Sequence, residues 1–325
     1  MKPQVMTALG PIAVEDMGVT SSHEHLLLGM PGWEYDASYT YDRRAVADKC
    51  IAQVKEAQKY GLQTLVDATP MDLSRDPELY KMVQGETGLN VICATGLYTE
   101  PEGNSAFWRL LAKYRGYDEA LKRLTNAYMT DVSKGMHGSD VKCGVLKIAT
   151  GKGAIAPIEE LSIHAACLTQ KELGTPIISH TAEASMGPAT ARMLLEKGAD
   201  PKKTMIGHMC DTDELDCVIE CLKMGFYVGL DRFGLNMIFT DDNKCVNLVK
   251  LVQMGYGDRI LIGHDATIHN HVIDLIPDEI MATMTNWNLC GLFRTFIPRF
   301  KELALTDAQV SKLMLDNPQR FFAGA

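Results

Sequence analysis

The sequence predicts an α/β protein folded as a (β/α)8 TIM barrel, with residues 1–325 forming a single domain. Three observations carry this reading. Short apolar runs rich in β-branched residues alternate with longer amphipathic stretches, the order that builds parallel sheets. The short runs are almost continuously apolar, as strands buried on both faces are. Polar residues collect at the C-terminal ends of those runs, and in a barrel these ends converge on the face where sites are built.

The first strand is predicted at Val19–His25, followed by a helix over Arg43–Tyr60 that stops before Gly61. Further strands are predicted at Leu62–Asp67, Asn90–Gly96, Cys143–Ile148, Pro176–His180, Thr204–His208, Phe226–Asp231 and Ile260–Asp265. Helices over Ile158–Leu173 and Asp213–Met224 stop before Gly174 and Gly225. Glycine just past a last turn takes the left-handed conformation that caps a helix. Thr306–Phe322 reads as a terminal helix closed by NPQRFF. A doubly wound open sheet is the competing architecture, but no Gly-rich phosphate fingerprint follows the first strand.

Composition narrows the function. With 325 residues and 46% hydrophobic content, the chain can bury a large core. Its 32 basic and 41 acidic residues leave a formal charge of -9, which repels phosphate backbones and anionic lipid. Nucleic acid and membrane are therefore poor partners, and a small molecule is the expected one. No apolar run spans a bilayer, and the start MKPQVMTALG lacks the apolar segment of a signal peptide. Nine scattered cysteines, an odd number, read as reduced thiols in a cytoplasmic protein. Cys217 and Cys221, one helical turn apart, could touch a metal but read better as small hydrophobes on a buried helix face.

The chemistry lies at the ends of the runs. His23 and His25 end the first, Lys147 lies near the end of the fourth, and His180, His208 and Asp265 end the fifth, sixth and eighth. Any one of these has a structural explanation as a hydrogen-bonded residue; six at the same end of five strands are hard to explain that way together. Alternate residues on a strand share a side, so His23 and His25 can face one ion. Imidazole suits zinc and its first-row neighbours. A lysine inside the apolar run GVLKIAT is costly unless it is neutral or paired. Lys147 is thus a buried ion pair, a snorkelling stem or an amine that captures carbon dioxide as a carbamate, and its neighbours leave all three open. Asp265 either caps a helix or ligates a metal and accepts a proton. His264 should face away, as a supporting or packing residue. His269 and His271 repeat the H-x-H spacing but are read as loop residues, not ligands.

The HEHL start, the strand lysine, the SH at 179–180, the GH at 207–208 and the final aspartate together resemble the phosphotriesterase family of the amidohydrolase superfamily. The likeness runs from ALGPI at 8–12 to NPQRFF, essentially the whole chain. GLY at 96–98 and GLDRFG at 229–234 resemble the phosphotriesterase-like lactonases in particular. The resemblance implies a barrel with a binuclear metal site at its C-terminal face, usually a homodimer. It implies that His23, His25 and Asp265 bind a buried ion, that His180 and His208 bind a more exposed one, and that Lys147, as N6-carboxylysine, bridges both. Tyr98 would lie over the metal pair and Arg232 would shape the substrate pocket. Two divalent cations are implied, zinc foremost, with cobalt, manganese or iron as substitutes, together with carbon dioxide for the lysine.

The expected reaction is hydrolysis of a lactone by a metal-bridging hydroxide, with Asp265 shuttling the proton and weak phosphotriesterase activity alongside. The loop ATIHNHVIDL lacks the aromatic and cysteine-rich character of several lactonases that accept long acyl chains, which points to a more polar lactone. The alternatives are a dedicated organophosphate hydrolase and a non-catalytic metal-binding barrel.

Overall fold

The computed structural model describes residues 2–103, 106–271 and 277–325. An antiparallel hairpin, β1 (Gln4–Thr7) and β2 (Gly10–Ala13), precedes the barrel. The barrel strands are β3 (Thr20–Leu28), β4 (Thr64–Asp67), β5 (Asn90–Gly96), β6 (Val145–Thr150), β7 (Ile177–Thr181), β8 (Thr204–Ile206), β9 (Tyr227–Leu230), β10 (Ile260–Ile262) and β11 (Ala266–Asn270). They form one parallel sheet in the order β10-β9-β8-β7-β6-β5-β4-β3-β11. Each of the eight predicted strands is present; β5 has its predicted bounds, and the others are shifted by a few residues at their ends.

The eighth position holds two strands rather than one, and this corrects the reading of His269. The chain breaks at Gly263–Asp265, where Asp265 has φ 52°, and resumes as β11 alongside β3. His269 is therefore a strand residue paired with Leu27, and only His271 lies beyond the strand. The break escapes a reading of hydrophobic runs because β11 is only partly buried, lying where the barrel closes. The rest of the ATIHNHVIDL segment, from 272, lies outside the described residues.

Helices wrap the sheet: α1 (Arg43–Gln58), α2 (Pro77–Thr87), α3 (Ala106–Arg115), α4 (Tyr117–Ser133), α5 (Pro157–Leu173), α6 (Gly187–Glu196), α7 (Leu215–Lys223) and α8 (Asp241–Leu251). The first begins at Asp42, whose side chain accepts from the N–H groups of Arg44 and Ala45, a cap that satisfies two otherwise orphaned donors. Gly174 ends α5 at φ 70°. The predicted terminal helix is present from Asp307, capped by Thr306, to Ala323. Among the described residues no helix is long and apolar enough to cross a membrane.

Strand parity positions the site. Val66, Ile92, Val145, Ile178, Met205, Tyr227 and Leu261 pack together inside the barrel, and Met17, Phe321 and Phe322 join them. Two residues further along their strands, on the same side, stand Lys147 after Val145 and His180 after Ile178. Leu146, between Val145 and Lys147, and Ile177, just before Ile178, have the opposite parity and face outward into the helix layer. Polar groups therefore sit directly on an apolar plug that keeps water from entering from below.

Gly96 has a steric reason: a Cβ there would stand 1.7 Å from the carbonyl oxygen of Lys147. Gly96→Ala should push β5 from β6 beside the lysine and cost about 2–4 kcal/mol, read as a lowered denaturation midpoint. An unchanged midpoint would contradict the close approach.

Candidate active site

At the C-terminal mouth of the barrel the predicted residues converge on the Asp265 carboxylate. Its Oδ1 lies 3.1 Å from His25 Nε2 and 3.5 Å from His23 Nε2, and its Oδ2 lies 3.6 Å from His208 Nε2. Lys147 Nζ is 2.7 Å from His23 Nε2. His180 joins through its Nδ1, 2.9 Å from His208 Nε2. Tyr98 reaches the cluster through its hydroxyl, 3.4 Å from His180 Nε2. Arg232 donates from Nε to Asp265 Oδ2 at 2.9 Å and from Nη1 to Asp211 at 2.8 Å.

Two of these side chains hold unusual backbone. His208 at φ 59° and Asp265 at φ 52° occupy the left-handed region, which costs a residue with a Cβ about 1–3 kcal/mol. The turn at Asp265 carries its carboxylate into the mouth instead of along the strand. Three contacts hold it there: the Asp265 N–H donates to His23 O at 3.0 Å, while Trp287 Nε1 donates to the carbonyls of His264 and Asp265 at 3.1 and 3.2 Å.

Residues behind the ring set the imidazole tautomers. Thr69 donates its hydroxyl to Leu27 O, so it accepts from His25 Nδ1 at 2.7 Å. Asp231, fully buried, accepts from His23 Nδ1 at 2.7 Å and from His208 Nδ1 at 3.0 Å. With Nδ1 protonated on all three rings, each Nε2 presents a lone pair to the site. Burial lowers His23 to about 3, with the Lys147 charge adding to the effect, and takes His180 well below the usual imidazole range. It also brings the Lys147 amine down to about 8. Burial alone would raise the Asp265 carboxyl, but positive charge at the site, including the Arg232 guanidinium that donates to Oδ2, outweighs it and holds the carboxyl well below its usual range.

This donor chemistry fits a divalent cation. His23, His25 and Asp265 bring one ligand atom each within 4.8 Å of one another, and neutral imidazoles with inward lone pairs beside an anion are what such an ion needs. His23, His208 and Asp231 also cluster within that distance, but there Asp231 is occupied by ring N–H groups.

Sequence reasoning overlooked Asp231, Asp211, Thr69 and Trp287. Asp231 carried a usable signal, because it ends the seventh predicted strand as the ligand candidates end theirs. His264 faces away, as anticipated, with Nδ1 donating to Phe233 O and Nε2 accepting from Leu292 N. His269 and His271 also stay outside the cluster. Both bond to the Tyr39 hydroxyl, and His271 stacks on Trp33.

Comparison with known proteins matches this geometry to a family. The chain matches the Phosphotriesterase family over residues 3–322. It is similar to an aryldialkylphosphatase of Saccharolobus solfataricus, 30% identical, with 96% of this chain and 97% of that protein covered. Its fold is similar to that of an organophosphorus hydrolase from Deinococcus radiodurans, with TM-score 0.94 and 33% identity over 99% of this chain and 97% of that one. A mutant PTE-like lactonase from Deinococcus radiodurans superposes with TM-score 0.93 at 32% identity, covering 98% of this chain and 99% of that one. Fold, site and relatives define a barrel hydrolase acting on ester bonds. The chain belongs to the phosphotriesterase family.

Asp231→Asn should leave the fold intact but deprive one of the two imidazoles of its acceptor. Divalent-metal affinity, measured by competition with a chelator, should fall about 10–100-fold. Unchanged affinity would mean that Asp231 plays no part in presenting His23 and His208.

Proposed function

We propose that this protein opens lactones, with weak phosphotriesterase activity as a side reaction. The observation that carries the reading is Arg232, whose guanidinium links Asp265 to Asp211 at the mouth of the site. His23, His25 and Asp265 would hold one divalent cation and His180 and His208 a second, both shared with Lys147 in its N6-carboxylysine form. Zinc suits these donors, and cobalt, manganese or iron can replace it. Cations held there supply Lewis-acid polarisation of the substrate carbonyl and activation of water.

The chain's own groups do the rest. The Tyr98 phenol is kept protonated by burial, reinforced by Glu102, and donates to the carbonyl oxygen as that oxygen gains charge. Asp265 takes a proton from the water that attacks the carbonyl carbon. As the ring C–O bond breaks, it passes that proton to the departing alkoxide, leaving a hydroxy acid. Arg232 holds the carboxylate oriented for both transfers. The surrounding cavity measures about 120 Å³, with Leu28, Pro70 and Leu73 among its walls. The same reading treats residues 1–325 as one domain that pairs into a homodimer.

A dedicated organophosphate hydrolase is the second reading, supported by the names of the similar proteins. A panel of γ- and δ-lactones set against paraoxon on metal-replete enzyme separates the two. Lactone kcat/KM should exceed that of paraoxon by about tenfold or more, which is 1.4 kcal/mol of transition-state preference. A preference for paraoxon overturns the lactonase reading.

Lys147→Ala tests the metal assignment. The parent should carry two ions per chain by elemental analysis, and the variant fewer, with lactone turnover down at least about 100-fold. Two ions in the variant, with turnover unchanged, would refute the role given to Lys147.

A further inference from the structure

Helix α8 carries three polar residues on one face at a spacing of three, and each reaches into the loops that follow β8 and β9. Lys244 is fully buried, and its Nζ donates to Arg232 O at 2.7 Å and to Leu235 O at 2.8 Å. Asp241 Oδ1 accepts from Gly234 N at 3.0 Å. Asn247 Nδ2 donates to Thr212 O at 2.8 Å, next to Asp211. Lys244 Nζ also lies 3.8 Å from Asp211 Oδ1, while the other oxygen of that carboxylate takes the Arg232 Nη1 donor.

Across from this helix the β9 loop meets a second wall. Gly234 turns at φ 96°, and a Cβ there would stand 2.6 Å from Asn286 O and 2.7 Å from Trp287 Cα. The indole of Trp287 holds the Asp265 carbonyl. The loop bearing Arg232 is thus wedged between α8 and the segment that fixes Asp265.

We propose that Lys244 is a positioning residue for the reaction, acting through Arg232: it holds the Arg232 backbone and the Asp211 carboxylate so that the guanidinium meets Asp265. A buried lysine with this geometry contributes more than helix packing. A purely apolar residue would fill the space, but it would leave the Leu235 carbonyl without its donor and the Arg232 carbonyl with only the Leu235 N–H, 3.2 Å away. Arg232 has two anchors, its backbone carbonyl and its Asp211 partner, and Lys244 touches both.

The proposal rests on the role given to Arg232 in ester hydrolysis, and its test separates the two. Lys244→Met, Arg232→Ala and the double variant form a cycle, measured as kcat/KM on the best lactone of the panel, or on paraoxon if no lactone is turned over. Absence of lactone turnover would count against the lactonase reading alone. Lys244→Met should keep the parent's metal content and lose about tenfold in kcat/KM. Adding Arg232→Ala should then cost less than about twofold, against about tenfold in the parent. The same cycle on the denaturation midpoint of metal-free protein should also be non-additive. If Lys244→Met fails to fold, Asn247→Ala replaces it in the cycle and should couple to Arg232→Ala in the same sense. Additive losses, or an unchanged kcat/KM in the variant that folds, overturn the proposal.

Discussion

The Glu24 carboxylate, buried on the face of β3 opposite His23 and His25, accepts the N–H groups of His264 and Ala266 at 2.9 Å each, and the rest of the architecture depends on that pair of hydrogen bonds. They flank Asp265 and pin the break in the eighth strand to the first. The barrel closes there, because β11 can lie against β3 only after the chain has turned at Asp265. The same turn delivers the carboxylate to the mouth. The His-Glu-His stretch thus serves two faces at once: its outer members look into the site and its middle member shuts the sheet.

Burial is what makes this cluster coherent. In a low-dielectric interior an unpartnered polar group is expensive, so each ring nitrogen or carboxylate must be matched. Asp231 matches two imidazoles, Thr69 a third, and Arg232 neutralises part of Asp265. These partners do more than satisfy valence. They decide which nitrogen of each ring carries the proton, and so turn the lone pairs toward a single point. The backbone strain at His208 and Asp265 is sustained by the same network.

Two loops then distinguish this site from a bare metal cradle. The loop after β5 brings Tyr98 over His180, and the loop after β9 brings Arg232 to Asp265. Both are connections at the end of the barrel where chemistry varies while the sheet stays constant. The family likeness extends over nearly the whole chain, while these loops supply Tyr98, which borders the cavity beside Asp265, and Arg232, which holds the Asp265 carboxylate from outside it.

Much of the fold was legible in the sequence because apolar runs and capping glycines are local properties. The eight strands, α1, α5, α7 and the terminal helix all follow from spacing within a window of a few residues. The candidate ligands were legible for a related reason: parity along a strand places Lys147 above Val145 and His180 above Ile178, so polar residues at the ends of runs share a side. The split of the last strand into β10 and β11 was not legible, since pairing with β3 joins segments some 240 positions apart and no local pattern records it. Nor were the roles of Asp231, Asp211 and Lys244, which depend on which loop each side chain meets. By itself, the sequence determined a barrel and a set of metal-capable residues at one end of it. Only the tertiary structure decided which nitrogen faces inward, where Asp265 turns and what holds Arg232, because hydrogen-bond partners are chosen by proximity in space and not by spacing along the chain.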